Sequence, residues 1–475
     1  MKKRLIPFAA VAVIMASCSS EDVLEVNPEP AGQALSFSIA VGHTRATETT
    51  ISNLGDFKIA AKGVHPSGGV FNSFLIGSTT DGEQASLKDA IGNNATSGVW
   101  ELERDVYWPT SVDNALFWAW TCSQVKGGQK SDVLPSGKFD FTAPNKVKVT
   151  GFSPAKTGLK DTDVSQDMWA DGLKQVDFVT AFKQASKTTN VQLDFEHVLS
   201  QIDIVAKSEG KAATDHRIVR IKGAWLVNTK DKADLESGFT WNAGTKEATH
   251  DLKWTNHVFK DAKSPFTAYG SFYKEPKVLD SSTGEQNLLG ETLMLIPQEI
   301  AEWKKDDNEQ GAYILLLCRV ELKHDGTTHT TTPENPGADD DIAIYGDKHY
   351  HQQFPVNANK KFVEGEYGFV FVPVKATFKM GNKYKFILDI CGASSGAGYY
   401  PPEADDIYKA LLPTDNAGNL MEFTTNWGNK TNLTIVGRPS DKDINDFVLN
   451  EPIKFEVSVS PWDKNGDWKE GDVNL

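Results

Sequence analysis

Little in these 475 residues serves chemistry. Cysteine is scarce, with four in the whole chain, and Cys18, Cys122, Cys318 and Cys391 show neither a CxxC pair nor a Cys/His spacing of the kind that holds zinc. No P-loop, GxGxxG or HExxH string occurs, so the common signatures of nucleotide binding and zinc hydrolysis are missing. Positive charge is short as well. Lys and Arg total 49 against 64 Asp and Glu, a formal charge of −15. With no basic patch to neutralise phosphates, nucleic acid is excluded as a partner. Long helical periodicity and internal repeats are also absent, and 475 residues exceed what one compact core organises.

What is present begins at the amino terminus. Lys2, Lys3 and Arg4 precede an apolar run, Leu5–Met15, too short to cross a bilayer as a mature helix. Met15-Ala16-Ser17-Cys18 then places small residues before a cysteine, the pattern of a bacterial lipobox cut before Cys18. Residues 1–17 read as a signal peptide, and their loss removes three positive charges and no acid, leaving −18. The Cys18 thiol would carry diacylglycerol, and acyl burial at about 0.8 kcal/mol per CH₂ over several chains anchors stably. Ser19-Ser20-Glu21-Asp22 reads as an export signal or a solvated tether, and Glu21–Gln33 as an extended linker.

Leu35, Phe37, Ile39 and Val41 alternate with Ser36, Ser38 and Ala40, the period of a strand with one buried face. Gly42 ends the run and Thr44-Arg45-Ala46-Thr47 follows as a polar hinge. Strand-like runs continue at Leu54–Ala61, Ala115–Cys122, Val176–Ala181, Val191–Ala206 and Arg217–Asn228, and in the second half at Phe266–Phe272, Thr292–Pro297, Ala312–Leu322, Tyr367–Phe378, Lys383–Ile390 and Pro452–Ser460. The polar stretch 242–260 reads as a boundary, giving domains over 46–250 and 251–475, the second carrying a polar insertion at 323–362. Residues 18–45 form a lipidated tether and a strand that cleavage after Arg45, before Ala46, would free. A sheet missing that strand exposes unpaired backbone and an apolar groove, which a strand from another subunit can fill. Ile453, Phe455, Val457 and Val459 copy the alternation of 35–41 and make 453–459 the candidate donor; the same run also reads as the last core strand of the second domain. Arg45 reads equally as an ordinary exposed arginine.

Other residues invite chemical readings with bland alternatives beside them. His197 reads as a packed structural histidine tied to a backbone carbonyl, no partner base or nucleophile being identifiable by spacing. His324, His329, His349 and His351 have zinc-compatible spacings on polar loops, and Asp339–Asp341 and Asp463–Asp467 read as calcium-like or as solvated loops. Cys318 and Cys391 read as buried thiols or as a bridge in an oxidising compartment. Trp427, Tyr399 and Tyr400 read as sugar-stacking loop aromatics or as local packing. No catalytic residue, metal or cofactor is assigned, and the chain is expected not to be an enzyme.

Taken together, the lipobox through Cys18, Thr44-Arg45-Ala46, Trp108-Pro109, Leu193–Ile202, Leu293–Gln298 and Met380–Leu388 resemble the fimbrillin family, the subunits of protease-assembled type V pili and their minor-fimbrillin-like lipoprotein relatives. The resemblance implies an all-β chain of two tandem transthyretin-like β-sandwich domains with long loops. It implies export as a lipoprotein to the outer membrane, exposure on the surface in a fimbrium, and other fimbrial subunits as partners. An alternative is a non-polymerising surface adhesin of the same fold, whose partner is a host or bacterial surface glycan or protein. The insertion at 323–362 and the tail after Trp462 depart from the family pattern.

Overall fold

The computed structural model describes residues 34–462 apart from 42–48, 50–52, 67, 88–97, 127–128, 135–137, 141–144, 156–166, 209–215, 260–265, 281, 326–341, 346–347, 357–361, 393, 416–417, 421 and 426–427. Cys18, Arg45, Ala46, Trp427, His329, Asp339–Asp341 and Asp463–Asp467 therefore lie outside the described residues.

Among the described residues the regular structure is almost entirely strand. In the first part these are β1 (Ser36–Val41), β2 (Phe57–His65), β3 (Glu83–Leu87), β4 (Trp100–Leu102), β5 (Asn114–Thr121), β6 (Lys146–Phe152), β7 (Val179–Ser186) and β8 (Asn190–His197). Then come β9 (Ser200–Lys207), β10 (Arg217–Val227), β11 (Lys232–Asn242), β12 (Glu247–Val258) and β13 (Ala268–Leu279). The last are β14 (Tyr313–Asp325), β15 (Lys348–Phe354), β16 (Glu366–Pro373), β17 (Asn382–Asp389) and β18 (Lys454–Pro461).

The first sheet runs β2-β3-β4-β1-β8-β7-β5, and β5 pairs back onto β2, so the pairings close into a ring. Its interior holds Phe37, Phe57, Trp100, Phe117, Leu193 and Phe195 among other buried apolar residues. Alternation explains the lining: β8 reads exposed–buried along its whole length, with Val191, Leu193 and Phe195 inward. Outside the ring, Trp118 and Trp120 of β5 meet Val147 and Val149 of β6 and Leu235 of β11, so the sheet β12-β11-β6 packs on as a second layer.

The second core lies between two sheets. One has the order β13-β10-β14-β15, with β16 also on β14; the other runs β9-β17-β18. Ile202, Ile204, Leu316, Cys318, Val370, Phe386 and Leu388 interdigitate between them. The other face of the β14 sheet is also covered, by Tyr408, Leu412, Phe423 and Leu433. Under that cover Arg220 and Arg319 both ion-pair with Glu321, at 2.9 and 2.6 Å, so one buried carboxylate is shared by two buried guanidinium groups.

Strand membership does not divide at position 250. β9 and β10 precede it, yet β9 pairs with β17 and β10 with β14. One crossing between the cores falls between His197 and Ser200, across the fully buried Val198 and Leu199, and the chain returns to the ring's outer layer at β11 and β12. The polar stretch 242–260, read as a boundary, is largely β12, paired with β11 along its length. It looks like a linker because it is an outer strand whose residues alternate only between exposed and half-buried. The insertion at 323–362 is likewise structured in part: Ile342–Tyr345 and β15 extend the β14 sheet.

Candidate functional site

β1 is built as the alternation requires. Phe37 and Ile39, with Leu35 just before the strand, are buried in the ring, and Ser36 and Ser38 face outward half-buried. Phe37 is wholly enclosed, edge-on to Phe57 and Phe117 at centroid distances of 6.1 and 6.2 Å. Val41 is the last residue of the strand and lies opposite Phe195.

The neighbours of β1 are unequal. On one side it runs parallel to β8 over six Cα pairs, Ser36↔Asn190 to Val41↔Phe195. On the other it runs antiparallel to β4 over two, Ser36↔Glu101 and Phe37↔Trp100. Further bonds hold its amino-terminal end: the Leu35 N–H donates to Val106 O at 2.8 Å and the Ser36 N–H to Thr189 O at 2.9 Å. On the outer face Ser38 Oγ donates to Asn190 Oδ1 at 2.8 Å. β1 is thus an interior stave of the ring, and removing it would leave β4 and β8 with unpaired edges facing each other.

The structure places the candidate donor in the second core. β18 pairs antiparallel with β17 over eight Cα pairs, Asn382↔Pro461 to Asp389↔Lys454, and has no strand on its other side among the described residues. Ile453 and Val457 are buried, and Phe455 and Val459 are half-buried against the same core. Trp462, immediately after, is buried.

His197 is buried, and its partner is a carboxylate rather than a backbone carbonyl: its Nδ1–H donates to Asp177 Oδ2 at 2.8 Å. Asp177 sits alone between apolar neighbours in sequence and carries no motif, so only the fold reveals the pair. His349 and His351 are buried in β15, and no set of three His, Cys, Asp or Glu suited to a metal occurs among the described residues. Cys122, Cys318 and Cys391 are buried and hold no disulfide, and burial pushes the thiols of Cys122 and Cys318 up. Tyr399 and Tyr400 are not exposed sugar platforms. Tyr400 is buried, and Tyr399 packs between Phe371 and Phe447 at 5.7 and 5.0 Å. One motif match was missed in the sequence: Gly392–Gly396 fits the letters GxSxG. The context such a nucleophile needs is lacking, since irregular backbone rather than a helix follows as far as Ala404.

The family model described as fimbrillin-like matches residues 44–393. No curated protein sequence matches the chain. Among solved structures, a fimbrial protein from Bacteroides vulgatus is similar at 15% identity, covering 76% of this chain and 95% of its own, with a TM-score of 0.41. A fimbrilin from Porphyromonas gingivalis is similar at 10% identity, covering 79% of this chain and 93% of its own, with a TM-score of 0.28.

Proposed function

Starting from the premise that the chain belongs to the fimbrillin-like family, whose model spans 350 of its residues from 44 to 393, we propose that it is a subunit of a cell-surface fimbria. In this reading it is exported as a lipoprotein anchored at the outer membrane through Cys18 and is cut after Arg45. Its β1 then gives way to a strand from another subunit. The single observation that carries the reading is the place of β1, an interior stave contributed by the first described stretch of the chain. Burying Leu35, Phe37 and Ile39 is worth at most about 5–9 kcal/mol before entropy is subtracted. That is enough to hold β1 while it is tethered, and a competing strand of equal pattern can match it. Residues 453–459 carry such a pattern in Ile453, Phe455, Val457 and Val459.

One observation favours a second reading, a surface adhesin that never polymerises. β18 is already committed to its own core, with Ile453 and Val457 buried there, and using it as a donor requires peeling it from β17. Its single neighbour keeps that route open.

The test compares the mature amino termini of exported wild-type protein and Arg45→Ala, together with gel ladders of unboiled surface material. Polymerisation through strand exchange predicts that wild type begins at Ala46 and forms ladders, while the variant keeps residues 18–45 and runs as one band. Identical termini beginning at Cys18 in both proteins would sink the processing step.

A further inference from the structure

We propose that Asp177, His197 and Trp462 form a clasp by which the first ring holds the carboxyl-terminal strand of the second core, and that Thr49 sets its grip. The side chains meet where the two cores join. His197 closes β8, and Trp462 follows β18 directly. The two rings lie face to face, centroids 4.2 Å apart and planes within 7°. Asp177, fully buried, fixes the imidazole from the side by accepting from its Nδ1–H at 2.8 Å. A ring held at its edge by a carboxylate cannot turn out of the stack without giving up a charge-assisted bond.

The same carboxylate oxygen has a second donor, the backbone N–H of Thr49 at 2.9 Å. Thr49 is itself held by Gln124, whose Nε2 donates to Thr49 Oγ1 at 3.1 Å. On the far side, the Trp462 N–H donates to Gly381 O at 2.7 Å, and the Gly381 N–H donates to Leu199 O at 3.0 Å. Only two side chains, Asp177 and His197, therefore separate Thr49 from the residue that follows β18. Plain hydrophobic packing does not describe the cluster. Asp177 Oδ1, His197 Nε2 and Trp462 Nε1 are all buried with no hydrogen-bond partner among the described residues, so the group holds polar atoms at a cost that a purely apolar seam would avoid.

The device matters because β18 has one neighbouring strand among the described residues and depends on its ends for its seat. Displacing Thr49 frees one side of Asp177, loosens the imidazole and unseats Trp462, so β18 frays from its carboxyl end. The clasp stands on its own geometry and does not require that subunits exchange strands.

Amide hydrogen exchange on the full chain tests it. Trp462→Ala is expected to speed exchange of the β18 amides bonded to β17 by about a hundredfold, leaving β1 and β8 unchanged. Thr49→Pro, which removes the N–H donor together with the hydroxyl that Gln124 holds, is expected to speed β18 by about tenfold, while Thr49→Val, which keeps the N–H and exchanges the hydroxyl for a methyl group, is expected to leave β18 as in wild type. In a His197→Phe background, which keeps a flat ring and cuts the link to Asp177, Thr49→Pro should leave β18 unmoved. The proposal is overturned if Trp462→Ala leaves β18 exchange as in wild type, or if Thr49→Pro acts equally in the His197→Phe background. Should Trp462→Ala not fold, the Thr49→Pro pair decides alone.

Discussion

The two cores each include a strand from near one end of the chain, and these strands share one alternation, yet they are held differently. β1 lies inside a closed ring with a neighbour on each side, its longer pairing parallel. β18 lies at an edge with one antiparallel neighbour. Phe37 is wholly enclosed, whereas Phe455 is half-buried. A matching side-chain pattern thus specifies which face of a strand is buried and leaves open how many partners hold it. That second property decides what it costs to pull the strand out.

The largest test of this contrast is truncation of the two phenylalanines. Phe37→Ala should lower unfolding stability by about 3–5 kcal/mol, because the cavity it leaves is enclosed on all sides. Phe455→Ala should cost about half as much, since its site can relax toward solvent. Urea melts of the full chain measure both, and equal losses would erase the distinction between stave and edge.

Alkaline pH should separate the cores by their tyrosines. Tyr107 is the only tyrosine before residue 269. In the second core burial pushes Tyr313, Tyr408 and Tyr269 well up and raises Tyr367 to about 12. Each folded-state pKa lies above its unfolded value, so the stability these groups contribute is intact below about pH 10. It falls as pH rises through the folded values, because the unfolded chain releases protons that the folded chain keeps. Lys222 opposes them: burial lowers its pKa, so its own contribution improves as pH rises. One lysine does not offset four tyrosines. Hydrogen exchange at pH 10–12 should show β14 and β16 opening before β5 and β8, and simultaneous opening would remove the contrast.

The smallest expected effect lies on the outer sheet. Lys148 bridges Asp234 at 2.9 Å and Glu236 at 3.7 Å on a partly solvated face. Lys148→Ala should cost less than about 1 kcal/mol, and 1 M salt should erase the difference. A larger, salt-insensitive loss would mean that this layer supports the ring more than its exposure indicates.

Much of this was legible in the sequence where period two was clean. Val191, Leu193 and Phe195 announced β8, and Leu35, Phe37 and Ile39 announced the buried face of their strand. Periodicity names a face and says nothing about neighbours, so the parallel pairing of β1 with β8, 153 positions away at Ser36 and Thr189, was out of reach. β12 was read as a boundary because a strand with little burial on either face has the composition of a linker. The partner of His197 was hidden for another reason: a carboxylate that pairs through the fold leaves no local spacing to find. Trp462, by contrast, is a large aromatic at the end of an alternating run, a local pattern that goes with the burial it has.

The passage from β8 to β9 has a mechanical consequence. Val198 and Leu199 are fully buried, and they alone separate a stave of the ring from a strand of the next core. The crossing offers no slack and no swivel. A load applied across this crossing is passed between the lobes as shear across packed side chains, so the two cores should resist being drawn apart rather than swing about a hinge.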